Sequence, residues 1–269
     1  MAIDSRPNLA VTIHPLSTTD EPLAVREAIA WVAGLGYRGA QLNAADPATR
    51  PRDLGPSARR DLAATLARHE LVCAGIDLFI PPAHFHDAAQ QSRAFDAVIA
   101  AIGLGADLGR APITTPLPDD LSTGIRQAIA SEAERLGVQV LIAPSLGPAG
   151  VSAVSSPTET GSASIEPPFA AFVDCGAVLA AQASPEALVA SLGERLGAVR
   201  IVDLLRSGLR GPILEPRESR LDALSLRLAI DLSPAARRSH PIAVVDARQW
   251  ADIRGGIERS ILRWRALLD

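Results

Sequence analysis

A single (β/α)8 barrel, the TIM barrel, is the fold this sequence predicts, on three observations. Short runs rich in aliphatic and β-branched residues alternate with longer stretches of helical spacing, giving eight strand-like runs. The chain has 269 residues, close to the typical barrel length of about 250. It is 48% hydrophobic but only 3% aromatic, so Ala, Val, Leu and Ile must fill the core. That composition suits helices packed on buried parallel strands better than an aromatic-rich sandwich. All of 1–269 is expected to form one domain.

The first expected strand is Leu9–Pro15. An amphipathic stretch then runs from Pro22 to Leu35, with apolar Leu23, Ile29, Val32 and Leu35 three to six residues apart and Ala between them. Pro22 suits its first turn and Gly36 its end. Strand Gly39–Ala44 follows, then helix Ser57–His69 with Ser57 as N-cap. Strand Leu71–Ile80, helix Ala88–Leu108, strand Ala111–Leu117, helix Leu121–Leu136 and strand Val138–Leu146 continue the rhythm. Between Gly147 and Pro168 more than half the residues are Gly, Pro, Ser or Thr, and no helical period survives; this degenerate segment after the fifth strand is expected to be irregular. The alternation resumes with strand Ala170–Asp174, helix Pro185–Leu196, strand Val199–Leu204, helix Leu221–Asp231, strand Ile242–Asp246 and helix Trp250–Leu268. Strands separated by helices imply parallel pairing through right-handed crossovers, and eight of them at this length favour closure over an open sheet.

Composition also excludes function classes. The net charge of −4 argues against a nucleic-acid partner. The basic cluster Arg50–Arg60 is broken by Asp53 and flanked by Asp61, as on a solvated face. There is no lysine, which removes Schiff-base chemistry and the phosphate-binding P-loop lysine. No G-x-G-x-x-G follows a strand, which weakens a dinucleotide-binding reading. Cys73 and Cys175 form no C-x-x-C pair and read as two buried free thiols in a reducing compartment. Met1–Asn8 is polar and no apolar run reaches membrane-spanning length, so no signal peptide and no membrane partner are expected, and the expected location is cytoplasmic.

Several segments, in order, resemble the xylose-isomerase-like barrels. AVREAIAWVAGLGYRGAQL resembles the family's first helix and second strand, LVCAGIDLFI its third strand, and IASEAERLGVQVLIAPS its fourth helix and fifth strand. FVDCGAVLA resembles the sixth strand and GAVRIVDLLRSG the seventh. The resemblance implies sugar isomerase or epimerase chemistry, including sugar phosphates. It also implies a divalent cation held at the strand ends by a glutamate, an aspartate, a histidine and a glutamate on strands five to eight. This chain departs from that pattern, as a divergent branch with an incomplete metal site. Ala143 or Pro144 stands where the first glutamate would be, and Asp174 matches the aspartate. Ala177 replaces a second histidine three residues on. Arg200 takes the histidine position, and Asp246 the final glutamate, one methylene shorter. Arginine has no lone pair for a metal. Two carboxylates hold Mg or Mn only weakly, with help from water or substrate, so no tightly bound cofactor is expected.

The candidate catalytic residues are therefore Asp174, Arg200 and Asp246, at the ends of strands whose C-terminal face carries chemistry in this fold. Phe172 and Asp174 share one strand face, as do Ile242, Val244 and Asp246, so both aspartates cap rows pointing one way. Arg200 needs an anion: Asp174, Asp246, or a substrate phosphate or carboxylate. Candidate substrate-binding residues are His14 at the end of the first strand, Gln41 and Asn43 on one face of the second, His84 just past the third, and Asp203. In one reading, a base drawn from Asp174, Asp246 or His14 moves a proton next to the carbonyl of a sugar or polyol, and Arg200 stabilises the enediolate. In the alternative, the barrel keeps a small-molecule-binding or scaffold role without catalysis. A metal-dependent endonuclease would need more His, Asp and Glu ligands and a basic groove. The expected partner is a small sugar or polyol, with an anionic one suited to Arg200; the fold is also compatible with a homo-oligomer.

Overall fold

The computed structural model describes residues 7–144, 168–214, 217–238 and 240–267. The degenerate segment lies outside them, save Pro168. Strands β1 (Leu9–Thr12), β2 (Gly39–Asn43), β3 (Val72–Asp77), β4 (Ile113–Thr114), β5 (Val140–Ile142), β6 (Phe169–Asp174) and β7 (Leu196–Ile201) form a barrel. Strands β8 (Asp203–Leu204) and β9 (Arg210–Gly211) make a small antiparallel hairpin beside it. Strand β10 (Ala243–Val245) closes the barrel, pairing in parallel with both β1 and β7.

Helices α1 (Val25–Leu35), α2 (Pro56–Arg68), α3 (Gln91–Asp107) and α4 (Thr123–Leu136) link the first five strands. Helices α5 (Cys175–Ala180) and α6 (Pro185–Leu192) follow β6, and α7 (Ala223–Leu232) and α8 (Ile253–Arg265) complete the ring. Their apolar faces pack on the outward-facing strand residues, Val11, Leu42, Ile76, Val199 and Val245 among them. Two clusters fill the interior: Ala10, Ala74 and Val244 in one, and Leu141 and Phe172 packed with Ala170 and Ala198 in the other.

The element ends differ from the sequence reading where side chains cap differently. Helix α1 begins at Val25, not Pro22, because the backbone is still extended at Ala24, its N-cap. The Glu27 carboxylate then accepts from the Ala24 amide at 2.9 Å. Ser57 is inside helix α2, whose N-cap is Gly55, with Pro56 in its first turn. The expected seventh strand, Val199–Leu204, splits into β7 and the hairpin strand β8. Helix α5 was not foreseen; Asp174 starts it by accepting from the Ala177 amide at 2.9 Å. Tyr37, fully buried, donates to the Ile257 carbonyl at 2.9 Å and ties the start of the barrel to its last helix. Burial raises its pKa, outweighing the opposing charge of Arg265.

Two irregularities decide what faces inward. Between β2 and β3, Ala40 pairs with Cys73 but Gln41 pairs with Gly75, leaving Ala74 as an extra residue. Between β6 and β7, Ala171 pairs with Leu196 but Phe172 with Ala198, leaving Gly197 extra. An extra residue inverts the in–out alternation beyond it. Cys73 and Leu196 face the helices; without the bulges Asp77 and Arg200 would share that side. With them, both turn into the barrel. Gly197 is required at its bulge, since a Cβ there would lie 2.3 Å from Leu141 Cδ2 and 3.1 Å from the Ala171 carbonyl oxygen.

Candidate active site

The C-terminal ends of β3, β6, β7 and β10 bring Asp77, Asp174, Arg200 and Asp246 to one mouth. Arg210 reaches in from the hairpin, and Arg248 from the turn just past β10. Three aspartates and three arginines form one connected network. Arg200 Nη2 donates to Asp77 Oδ1, and its guanidinium stacks over the Phe172 ring, 4.6 Å from the centroid. Arg248 Nη1 donates to the other Asp77 oxygen. Arg248 also grips Asp246 in a two-pronged pair, Nε to Oδ1 at 2.8 Å and Nη2 to Oδ2 at 2.6 Å. Arg210 Nη2 bonds both Asp174 oxygens, at 2.8 and 3.1 Å, and lies 3.5 Å from Asp246 Oδ2.

Asp246 is fully buried. Burial acts to raise its pKa, but the Arg248 hydrogen bonds and charge, with Arg200 and Arg210 behind them, outweigh it. The carboxyl is held below the ordinary carboxylate range. Burial likewise acts to lower Arg248, and the bond to Asp246 overrides it, so this guanidinium holds its proton more firmly than usual. An ionised Asp246 under two arginines is a weak base, and both its oxygens are bonded to the Arg248 guanidinium.

The sequence thus locates Asp174, Arg200 and Asp246 at the mouth, but Arg200's direct partner is Asp77, not Asp174 or Asp246. Asp77, Arg210 and Arg248 were not singled out. The signal for Asp77 was a carboxylate at the end of a strand; the bulge hid its direction. Gln41 faces the interior, buried, and among the described residues its Oε1 has no partner; nor does the buried Nε of Arg200. Asn43 accepts from the Ala45 amide at 2.9 Å and shapes the turn after β2. Asp203, expected to touch substrate, is fully buried; its Oδ1 accepts from the Arg220 and Leu221 amides at 3.1 and 3.0 Å, fastening the segment ahead of α7. His84 sits half-buried on a 3-10 turn, Pro82–Phe85, and among the described residues it bonds to none of the mouth residues. Its neighbour His86 points instead to Asp120, with Nε2 3.2 Å from Oδ1.

His14 has a different setting. Its Nδ1 lies 2.8 Å from Asp46 Oδ2, and Asp46 Oδ1 accepts from the Ala48 amide at 2.9 Å. The pair borders a cavity of about 10 Å3, room for a single water, lined also by Ser17, Asn43 and Thr49.

The cation implied by the resemblance does not fit this mouth. Every oxygen of Asp77, Asp174 and Asp246 already accepts from a guanidinium or an amide. Among the described residues no group of three or more His, Cys, Asp or Glu is arranged to hold a metal ion. A unit positive charge ~4 Å from a guanidinium is repelled by about 4 kcal/mol at an effective dielectric of ~20.

No family model matches the chain, and no curated protein does. Solved structures do, over nearly the full length. A D-psicose 3-epimerase with D-tagatose from Clostridium cellulolyticum H10 superposes with a TM-score of 0.68 at 13% identity, covering 98% of this chain and 97% of the other. An L-ribulose 3-epimerase gives 0.67 at 14% identity, covering 97% and 94%. A xylose isomerase-like barrel protein from Mycobacterium smegmatis in complex with magnesium gives 0.64 at 12% identity, covering 100% and 98%. The fold is that of the xylose-isomerase-like barrels. Among the described residues no helix is long and apolar enough to cross a membrane.

Proposed function

We propose that this xylose-isomerase-like barrel is a sugar isomerase or epimerase that moves a proton next to the carbonyl of a small sugar or polyol, without the family's tightly held metal. The observation that carries the reading is the guanidinium trio at the mouth. Arg200, Arg210 and Arg248 are fixed by Asp77, Asp174 and Asp246, with permanent charge and N–H groups available to a sugar's oxygens. When a proton leaves the carbon beside a carbonyl, negative charge grows on oxygen, and preorganised donors in a water-poor site stabilise that charge. Asp174 and Asp246 serve as the anchors that hold those donors. The sugars named for the neighbours, D-psicose, D-tagatose and L-ribulose, support a neutral ketose as ligand; the guanidinium charge also suits a sugar phosphate.

The complete pairing of the six charges favours a second reading, a ligand-binding barrel without turnover, since a neutral network can serve as a structural plug. Incubation in deuterium oxide separates the two. With EDTA present, D-fructose, D-tagatose, D-psicose or L-ribulose is expected to gain carbon-bound deuterium by NMR. Arg200→Met is expected to slow the exchange about 100-fold or more. Sugar binding with no exchange would establish the second reading, and exchange abolished by EDTA would overturn the metal-independent part of the first.

A further inference from the structure

We propose that His14 and Asp46 are the acid–base pair of this barrel, His14 touching the substrate and Asp46 positioning it; the proposal rests on the sugar-isomerase reading above. The mouth aspartates leave the role vacant. Asp77 is bound through one oxygen to Arg200 and through the other to Arg248. Asp174 accepts from Arg210 and from the Ala177 amide. Asp246 accepts from Arg248 through both oxygens. A proton placed on any of them would break a charge-assisted bond.

His14 is free to do what they cannot. It follows β1 and Ile13 at the same end of the barrel, and Arg248 follows β10, the strand paired with β1. Asp46 lies in the turn after β2, β1's other neighbour. A carboxylate can only accept, so Nδ1 carries the ring proton and the lone pair is left on Nε2. Among the described residues Nε2 has no hydrogen-bond partner. The imidazole is 31% exposed while Asp46 is only 10% exposed, the arrangement of a reachable base on a fixed carboxylate. Asp46 is further held by the Ala48 amide and lies 3.5 Å from Ser17 Oγ.

The step balances without a co-reactant. Nε2 takes the proton from the carbon beside the carbonyl, the C–H electrons become the enediolate double bond, and the carbonyl π electrons move to oxygen among the guanidiniums. The hydroxyl on the carbon that lost the proton passes its own proton to that oxygen and becomes the new carbonyl, while the imidazolium returns the first proton to the neighbouring carbon. A single base returns it to the face it left. The pair therefore suits aldose–ketose isomerisation, with exchange at C1 of a ketose and no inversion at C3.

The experiment follows deuterium on carbon in D-fructose and D-tagatose by NMR, with the intact chain in deuterium oxide. Wild type is expected to exchange at C1. His14→Gln is expected to lose about 100-fold or more, imidazole to restore exchange to His14→Gly, and Asp46→Asn to lower kcat with KM held. Undiminished exchange in His14→Gln overturns the pair and leaves the sugar reading standing. So does loss that imidazole does not repair, or exchange with inversion at C3. No exchange by wild type on either sugar, or on D-psicose or L-ribulose, overturns the sugar reading, and the pair with it.

Discussion

Asp246 shows how one residue couples the site to the stability of the fold. Its carboxyl is held below the ordinary range in the folded chain, because the arginines outweigh burial. A group whose folded pKa is depressed adds stability that is present above its unfolded value, about 3.9, and lost as pH falls through the folded value. Thermal unfolding of wild type should therefore steepen its decline below about pH 4. Asp246→Asn should cost about 3 kcal/mol near neutral pH, from the broken buried pair, and should flatten that acid limb. Equal slopes for the two proteins in a pH series of melting temperatures would refute the assignment. Asp174 and Asp246 were legible in the sequence because each closes an expected strand in clear alternation, and Arg200 because it stands at the histidine position of the family resemblance. Arg210 and Arg248 were not, because one sits in a hairpin read as the end of a strand and loop, and the other lies past the strand end, where no periodicity fixes direction.

At the scale of elements, two bulges do the aiming. Alternation by two, counted from Cys73 or Leu196, places Asp77 and Arg200 against the helices; the extra residues Ala74 and Gly197 reverse that. The eight-strand rhythm was readable because hydrophobic periodicity survives at low aromatic content. The bulges were not, since they are set by pairing between strands distant in the chain. Helix α5 escaped because its six residues are too few for a periodic signal. Gly197→Ala is expected to destabilise the barrel by about 1–3 kcal/mol in denaturant titration, because Leu141 and the Ala171 carbonyl occupy the space its Cβ needs. Sugar exchange should fall with it, as β7 shifts and carries Arg200 off Asp77. A variant of unchanged stability and rate would show that the bulge is not what aims Arg200.

Across the whole molecule, a fold shared with sugar epimerases is combined with a mouth whose six charges cancel among themselves. The barrel delivers strand ends to one face whatever the residues there. At this mouth Arg200, Arg210 and Arg248 supply the positive charge, each paired with an aspartate. The direct test is to incubate the protein with excess Mn2+, remove unbound metal by gel filtration, and count what remains by elemental analysis. Well under one equivalent per chain is expected to remain. One equivalent retained by wild type and lost in both Asp174→Asn and Asp246→Asn would contradict that expectation.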